Sequence, residues 1–173
     1  LSNCKQALDA GAGGIIAPMI MDAEQLEQII NWCCWPPKGI RGVGYSRANL
    51  YGKHFESYKK EAQAPLVIAQ IEHIKAVENL EPILSVDGLD ATIIGPYDLS
   101  ASMGLTGDLE HPDVVEACKK VIEISKKMGI PSGIHVVESN KEKLKAATEN
   151  GYNFISYSLD GVFLFTNAFN PFI

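Results

Sequence analysis

No apolar stretch in this 173-residue chain approaches the length of a membrane span, and no basic start with an apolar core marks a signal peptide. Positive charge is also scarce: 15 Lys and Arg stand against 21 Asp and Glu, for a net charge of −6. A nucleic-acid binder needs a basic face, so neither nucleic acid nor membrane is expected as a partner. The nucleotide-binding fingerprints G-x-G-x-x-G and G-x-x-x-x-G-K-[ST] are both missing. Gly11-Ala12-Gly13-Gly14 precedes an apolar run, which makes it a helix-to-strand turn and not a phosphate cradle.

Cysteine is sparse too. Cys4, Cys33, Cys34 and Cys118 form no C-x-x-C pair of the zinc or thioredoxin kind. Cys33 and Cys34 lie on an apolar helical face beside Trp32 and Trp35, where free thiols pack as small hydrophobes. A reducing, cytoplasmic setting is expected. The chain also opens without methionine, on Leu1-Ser2-Asn3-Cys4-Lys5, directly in a helical pattern. It reads as a protein entered partway through.

Apolar runs alternate with amphipathic stretches throughout, with no linker, so residues 1–173 are expected to form one (partial) domain. Strands are predicted at Gly14–Met19, Leu66–Ile71, Ala91–Ile94, Gly133–Val137 and Phe154–Ser158. Helices are predicted at Ala23–Cys34 behind an Asp22 cap, Phe55–Ala62, Ile74–Leu80, Pro112–Met128, Lys141–Asn150 and Val162–Ala168. Lys38–Tyr51, rich in glycine and arginine, reads as a loop with a short extended piece at Arg41–Tyr45, and 96–111 as a second loop.

Apolar strands alternating with helices mean an α/β fold with a covered parallel sheet. Without a dinucleotide fingerprint, the (β/α)8 TIM barrel is preferred over a doubly wound sheet. About five βα units are present, so the barrel is expected to be incomplete at its N-terminal side.

Residues at the carboxyl ends of barrel strands line the active site. Gln70, Glu72, Asp98 and His135 fall at or near such ends. Two carboxylates on neighbouring strand ends can hold Mg²⁺ or Mn²⁺ while leaving positions open to water and substrate oxygens. The competing reading makes Glu72 and Asp98 helix caps, favoured by the macrodipole.

Around these carboxylates, four segments occur in a fixed order: Ile15-Ile16-Ala17-Pro18-Met19, Pro36-Pro37-Lys38-Gly39-Ile40-Arg41-Gly42-Val43-Gly44, Gln70-Ile71-Glu72 and Ile94-Gly95-Pro96-Tyr97-Asp98-Leu99-Ser100. Together they resemble the HpcH/HpaI family of metal-dependent (class II) pyruvate aldolases, of the 4-hydroxy-2-oxoheptanedioate and 2-dehydro-3-deoxyglucarate aldolase type. The resemblance implies that Glu72 and Asp98 ligate a divalent metal (Mg²⁺ or Mn²⁺, with Co²⁺ as an alternative), and that Gln70 contacts the bound pyruvate. It also implies that the backbone N–H at Tyr97, beside Asp98, meets the substrate carboxylate. Asp9, in Leu8-Asp9-Ala10-Gly11, falls where the family has an aspartate that raises the basicity of a catalytic histidine. The expected partners are a small 2-oxo acid, an aldehyde and further copies of the same chain in a homo-oligomer.

Two departures stand out. Tyr97 replaces the alanine of the family's usual Gly-Pro-Ala-Asp. The family's catalytic histidine and its transition-state arginine belong to strands that precede Leu1, and His54, His73, His111 and His135 do not occupy the base position. Arg41 and Arg47 meet an acidic aldehyde or serve as packing groups in a glycine-rich loop, the second reading being preferred. Tyr45, Tyr51, Phe55 and Tyr58 suit subunit contacts and core packing equally. The expected activity is aldol cleavage of 4-hydroxy-2-oxo acids to pyruvate and an aldehyde. A citrate-lyase or malyl-CoA-lyase type of carbon–carbon lyase, and a non-catalytic barrel fragment, are the alternatives.

Overall fold

The computed structural model describes residues 2–168, where helices alternate with the strands β1 (Gly14–Ala17), β2 (Leu66–Ile71), β3 (Ala91–Ile94), β4 (Ser132–Val136) and β5 (Phe154–Tyr157). All neighbours pair in parallel and in sequence order, β1-β2-β3-β4-β5. Each strand therefore returns through a helix and lands one place further along the sheet. Successive strands are staggered: β3 begins opposite Ile68, two residues into β2.

Side chains alternate between the two faces with a period of two. Ala17, Val67, Ala69, Ile71, Ile94 and Val136 pack into one core with helix residues such as Leu26, Leu80, Ile83, Leu99, Ala117 and Val121. Ile16, Ile68, Gln70, Ile93, Gly133 and His135 take the opposite face. That face carries the polar groups developed below.

Local chemistry sets the helix ends. In α1 (Ser2–Asp9) only Leu8 is buried, whereas α2 (Ala23–Cys33) is held by the Asp22 carboxylate, which accepts the Gln25 N–H at 2.8 Å. After α3 (Phe55–Glu61), the helix expected over Ile74–Leu80 breaks at Asn79 into α4 (Ile74–Glu78) and α5 (Leu80–Leu84). Pro82, lacking an N–H, is accommodated in the first turn of α5.

The segment 96–111 is not all loop, because Pro96 at the first position of α6 (Pro96–Ser102) starts a helix behind Gly95. Pro112 opens α7 (Pro112–Met128), which Gly129 closes at φ 74°. The last helices are α8 (Lys141–Glu149) and α9 (Asp160–Asn167).

Arg41–Tyr45 forms no strand. Arg41 is fully buried, stacked 5.6 Å over the Trp35 ring and 5.9 Å over Tyr58, with its guanidinium 3.4 Å from Asp9. The packing reading of this loop is thus the one the structure supports for Arg41. Beyond it, Arg47–Gly52 forms tight 3-10 turns, fixed by buried Asn49, whose side chain donates to the Gly44 carbonyl and accepts the Ser46 and Gly52 N–H groups.

The cysteines are free and packed as expected. Burial, followed by contact with Cys4, pushes the Cys33 thiol up to about 12, and burial pushes Cys118 up to about 11. Neither is a ready nucleophile.

The β1–β2 pairing makes a sharp test of this fold. A Cβ added at Gly14 would sit 2.3 Å from the Leu66 carbonyl oxygen and 2.5 Å from its Cβ, whereas one at Gly13 meets nothing within 4 Å. Gly14→Ala is expected to lower the urea-unfolding free energy by about 1–3 kcal/mol through overpacking, with Gly13→Ala close to neutral.

Candidate metal and substrate site

Strand parity puts Gln70 and Glu72 on one side of the chain and Ile71 on the other, in the helix-covered core. Glu72 is 3% exposed, a rare state for a carboxylate. Its Oε1 accepts the backbone N–H of Met19 at 2.7 Å, and its Oε2 accepts the Gln70 amide at 2.6 Å.

Asp98 arrives from the next unit, in the first turn of α6, and approaches Glu72 closely. Burial raises the Glu72 pKa above the ordinary carboxylate range. The Met19 and Gln70 hydrogen bonds oppose that rise, and the Asp98 carboxyl adds to it by repulsion and by hydrogen bonding to the protonated form. Among the described residues, neither carboxylate has a Lys, Arg or His ion-pair partner.

Capping does not account for Glu72. The cap of α4 is His73, whose Nδ1 accepts the Lys75 N–H at 3.2 Å. Asp98 does lie in the first turn of α6, where the helix dipole favours it, but the cap there is Gly95.

Gly95 packs against Glu72 and Gln70. A Cβ there would stand 2.8 Å from Glu72 Oε2 and 3.0 Å from Gln70 Nε2. Tyr97 follows with its side chain 41% exposed, and its N–H, in the first turn of α6, has no acceptor within the helix. Continuing the Ile94–Ile134 pairing by one residue sets His135 beside Gly95. His135 is half-buried, with Nε2 3.4 Å from the Ser158 carbonyl oxygen. Gln70, Glu72, Tyr97, Asp98 and His135 therefore gather at one end of the sheet.

Asp9 does not join them. It ends α1, just before β1, at the amino ends of the strands. There it accepts from Lys5 Nζ at 2.6 Å and lies 3.4 Å from Arg41 Nη1, while Arg41 Nη2 reaches the Tyr58 hydroxyl at 3.3 Å. In this position the Asp9 carboxylate neutralises the buried Arg41. His111 caps α7 through Nδ1, and His54 precedes α3 without a side-chain cap bond.

Met19 went unnoticed in the sequence because its contribution is a backbone N–H. The one available signal was Pro18, which ends β1 and forces a turn directly beside the neighbouring strand's mouth.

Among the described residues, no three His, Cys, Asp or Glu side chains converge as a metal-binding group. The donor set is instead two carboxylates, one of them buried, without a protein cation between them. That set fits a hard divalent cation that completes its shell with water and substrate oxygens.

Parallel βα units with acidic and amide side chains collected at the carboxyl strand ends define an α/β enzyme architecture. The chain belongs to the HpcH/HpaI aldolase/citrate lyase family, whose model matches residues 2–168. It is 37% identical over 159 residues to a hydroxypyruvate/pyruvate aldolase of Roseobacter denitrificans, covering 90% of this chain and 61% of that protein. It is 36% identical over 166 residues to a 4-hydroxy-2-oxo-heptane-1,7-dioate aldolase of Klebsiella pneumoniae, covering 95% of this chain and 62% of that one. The crystal structure of an HpcH/HpaI aldolase from Desulfitobacterium hafniense superposes with a TM-score of 0.83 at 33% identity, covering 95% of this chain and 64% of that one. The chain thus spans about three-fifths of the length of the curated relatives it matches.

The raised Glu72 pKa has a definite sign in stability. The folded state holds this proton more tightly than the unfolded chain, so the ionised carboxylate costs stability as pH rises through the folded pKa. In EDTA, wild type is expected to lose stability relative to Glu72→Gln as pH rises from 4 towards 7. Thermal melts of both proteins across that range check this, and parallel curves would contradict it.

Proposed function

We propose that the protein carrying this chain is a divalent-metal-dependent aldolase that cleaves 4-hydroxy-2-oxo acids to pyruvate and an aldehyde. The observation that carries this reading is the buried Glu72 carboxylate beside Asp98 with no cationic side chain among the described residues to neutralise the pair. Family membership supplies the reaction class. In this reading the five strands belong to a (β/α)8 barrel, and the site lies at its carboxyl mouth.

Glu72 and Asp98 would hold the cation, with Mg²⁺ or Mn²⁺ preferred for an all-oxygen donor set and Co²⁺ a substitute. When bound, it supplies a Lewis acid that polarises the 2-oxo group and offsets negative charge developing on cleavage. The chain's own groups set the geometry. Gln70 ties Glu72 through Oε2 and presents its amide on the substrate side of the strand end. The free N–H groups in the first turn of α6, at Tyr97 and Asp98, suit the substrate's carboxylate, assisted by the positive end of the helix dipole. The half-exposed Tyr97 ring borders the space an aldehyde would fill. A small 2-oxo acid and an aldehyde are the partners, in a cytoplasmic homo-oligomer. Among the described residues, no helix is long and apolar enough to cross a membrane.

Pyruvate in D₂O tests the proposal. The full-length protein with Mg²⁺ or Mn²⁺ is expected to exchange the methyl protons of pyruvate, seen by loss of the methyl NMR signal, and EDTA to stop the exchange. Glu72→Ala and Asp98→Ala are each expected to lower the rate by more than about a hundredfold, beyond the usual effect of removing an outer hydrogen-bond partner. Exchange that is indifferent to EDTA would overturn the reading. Turnover of acyl-CoA thioesters in preference to free hydroxy-oxo acids would replace it with the citrate-lyase type.

A further inference from the structure

Met19 stands in the left-handed region at φ 54°, a conformation that side chains other than glycine rarely adopt. Its side chain does not explain the strain, being 43% exposed. Its backbone does. The Met19 N–H donates to Glu72 Oε1 at 2.7 Å, across 53 residues of sequence.

The flanks hold the turn in place. Before it, Pro18 fixes its own φ and ends β1. After it, Ile20 is fully buried, Met21 donates its N–H to Gln25 Oε1 at 2.9 Å, and the Met21 carbonyl accepts from Asn79 Nδ2 at 3.0 Å. Asp22 then caps α2. A strained residue persists where its surroundings over-determine it, and such residues cluster at functional sites.

We infer that Met19 is a positioning residue whose strained backbone holds the Glu72 carboxylate in the orientation needed for a divalent cation, an inference that rests on the metal-site reading above. The N–H ties Oε1 from the β1 side, and Gln70 ties Oε2 from within β2. A carboxylate held at both oxygens cannot rotate, and each oxygen keeps a lone pair for a cation. The strain sits in the protein before the cation arrives, so ordering Glu72 takes nothing from the binding energy.

The test varies the fit of residue 19 to the left-handed region while keeping its N–H. Met19→Gly removes the strain, Met19→Ala keeps a moderate penalty, and Met19→Ile adds β-branching that drives the backbone out of that region. Mn²⁺ is titrated into the full chain and followed by electron paramagnetic resonance, with melts in EDTA confirming that each variant is folded. Glycine is expected to bind Mn²⁺ at least as tightly as wild type, alanine like wild type, and isoleucine about tenfold more weakly. If the isoleucine variant does not fold, tighter binding by glycine than by alanine carries the same conclusion.

Equal affinities across the series, with Glu72→Ala abolishing binding, would overturn the clamp and leave the metal site standing. Weaker binding by both glycine and alanine would overturn it in favour of the thioether as the relevant group. No Mn²⁺ binding by wild type would overturn the metal-site reading and this inference together.

Discussion

A carboxylate sealed into the mouth of a strand constrains everything near it. Glu72 is almost without solvent, so its charge must be met by hydrogen bonds and by whatever cation the site admits. The Met19 N–H and the Gln70 amide meet both oxygens, and each donor is supplied by a feature that the sheet's geometry requires. Gln70 shares the face of Glu72 because strands alternate. Met19 reaches it because β1 runs parallel beside β2 and ends at a proline. The parallel register, the abrupt end of β1 and the small residue at position 95 all serve one acidic group.

The two ends of the sheet divide the work. At the carboxyl ends, the acidic pair has no cationic side chain beside it among the described residues. At the amino ends, Arg41 is enclosed by Trp35, Tyr58 and Asp9, with Lys5 adding a second contact to the same aspartate. At the first end burial makes an ionised Glu72 costly, and the second closes a loop over the base of the fold. Removing one partner of a buried charge leaves the other uncompensated, so Asp9 matters to folding.

The strand ladder was readable in the sequence because apolar runs and helical periodicity are side-chain patterns. All five strands appear where they were expected, with ends differing by one or two residues, and Glu72 and Asp98 lie together as strand-end spacing suggested. What escaped was set by the backbone or by tertiary contact. The start of α6 was hidden by reading Pro96 as a loop residue when it was a helix opener. Arg41–Tyr45 belongs to the loop expected there, and its anchoring comes from the Trp35, Tyr58 and Asp9 contacts of Arg41. The contact of Asp9 with an arginine 32 positions away is likewise absent from the local pattern around it. Met19 acts through an N–H that every residue but proline possesses, which no side-chain pattern can reveal.

Gly95 has an evolutionary side. Any side chain there would strike Glu72 and Gln70, so the tip of β3 is closed to diversification. Larger side chains fit instead at positions that point away from the carboxylates. Tyr97, about two-fifths exposed, stands next to the fixed centre. The site is thereby partitioned into a sterically closed, charge-holding middle and an open rim, and a single hydrogen in place of a methyl group draws the line between them.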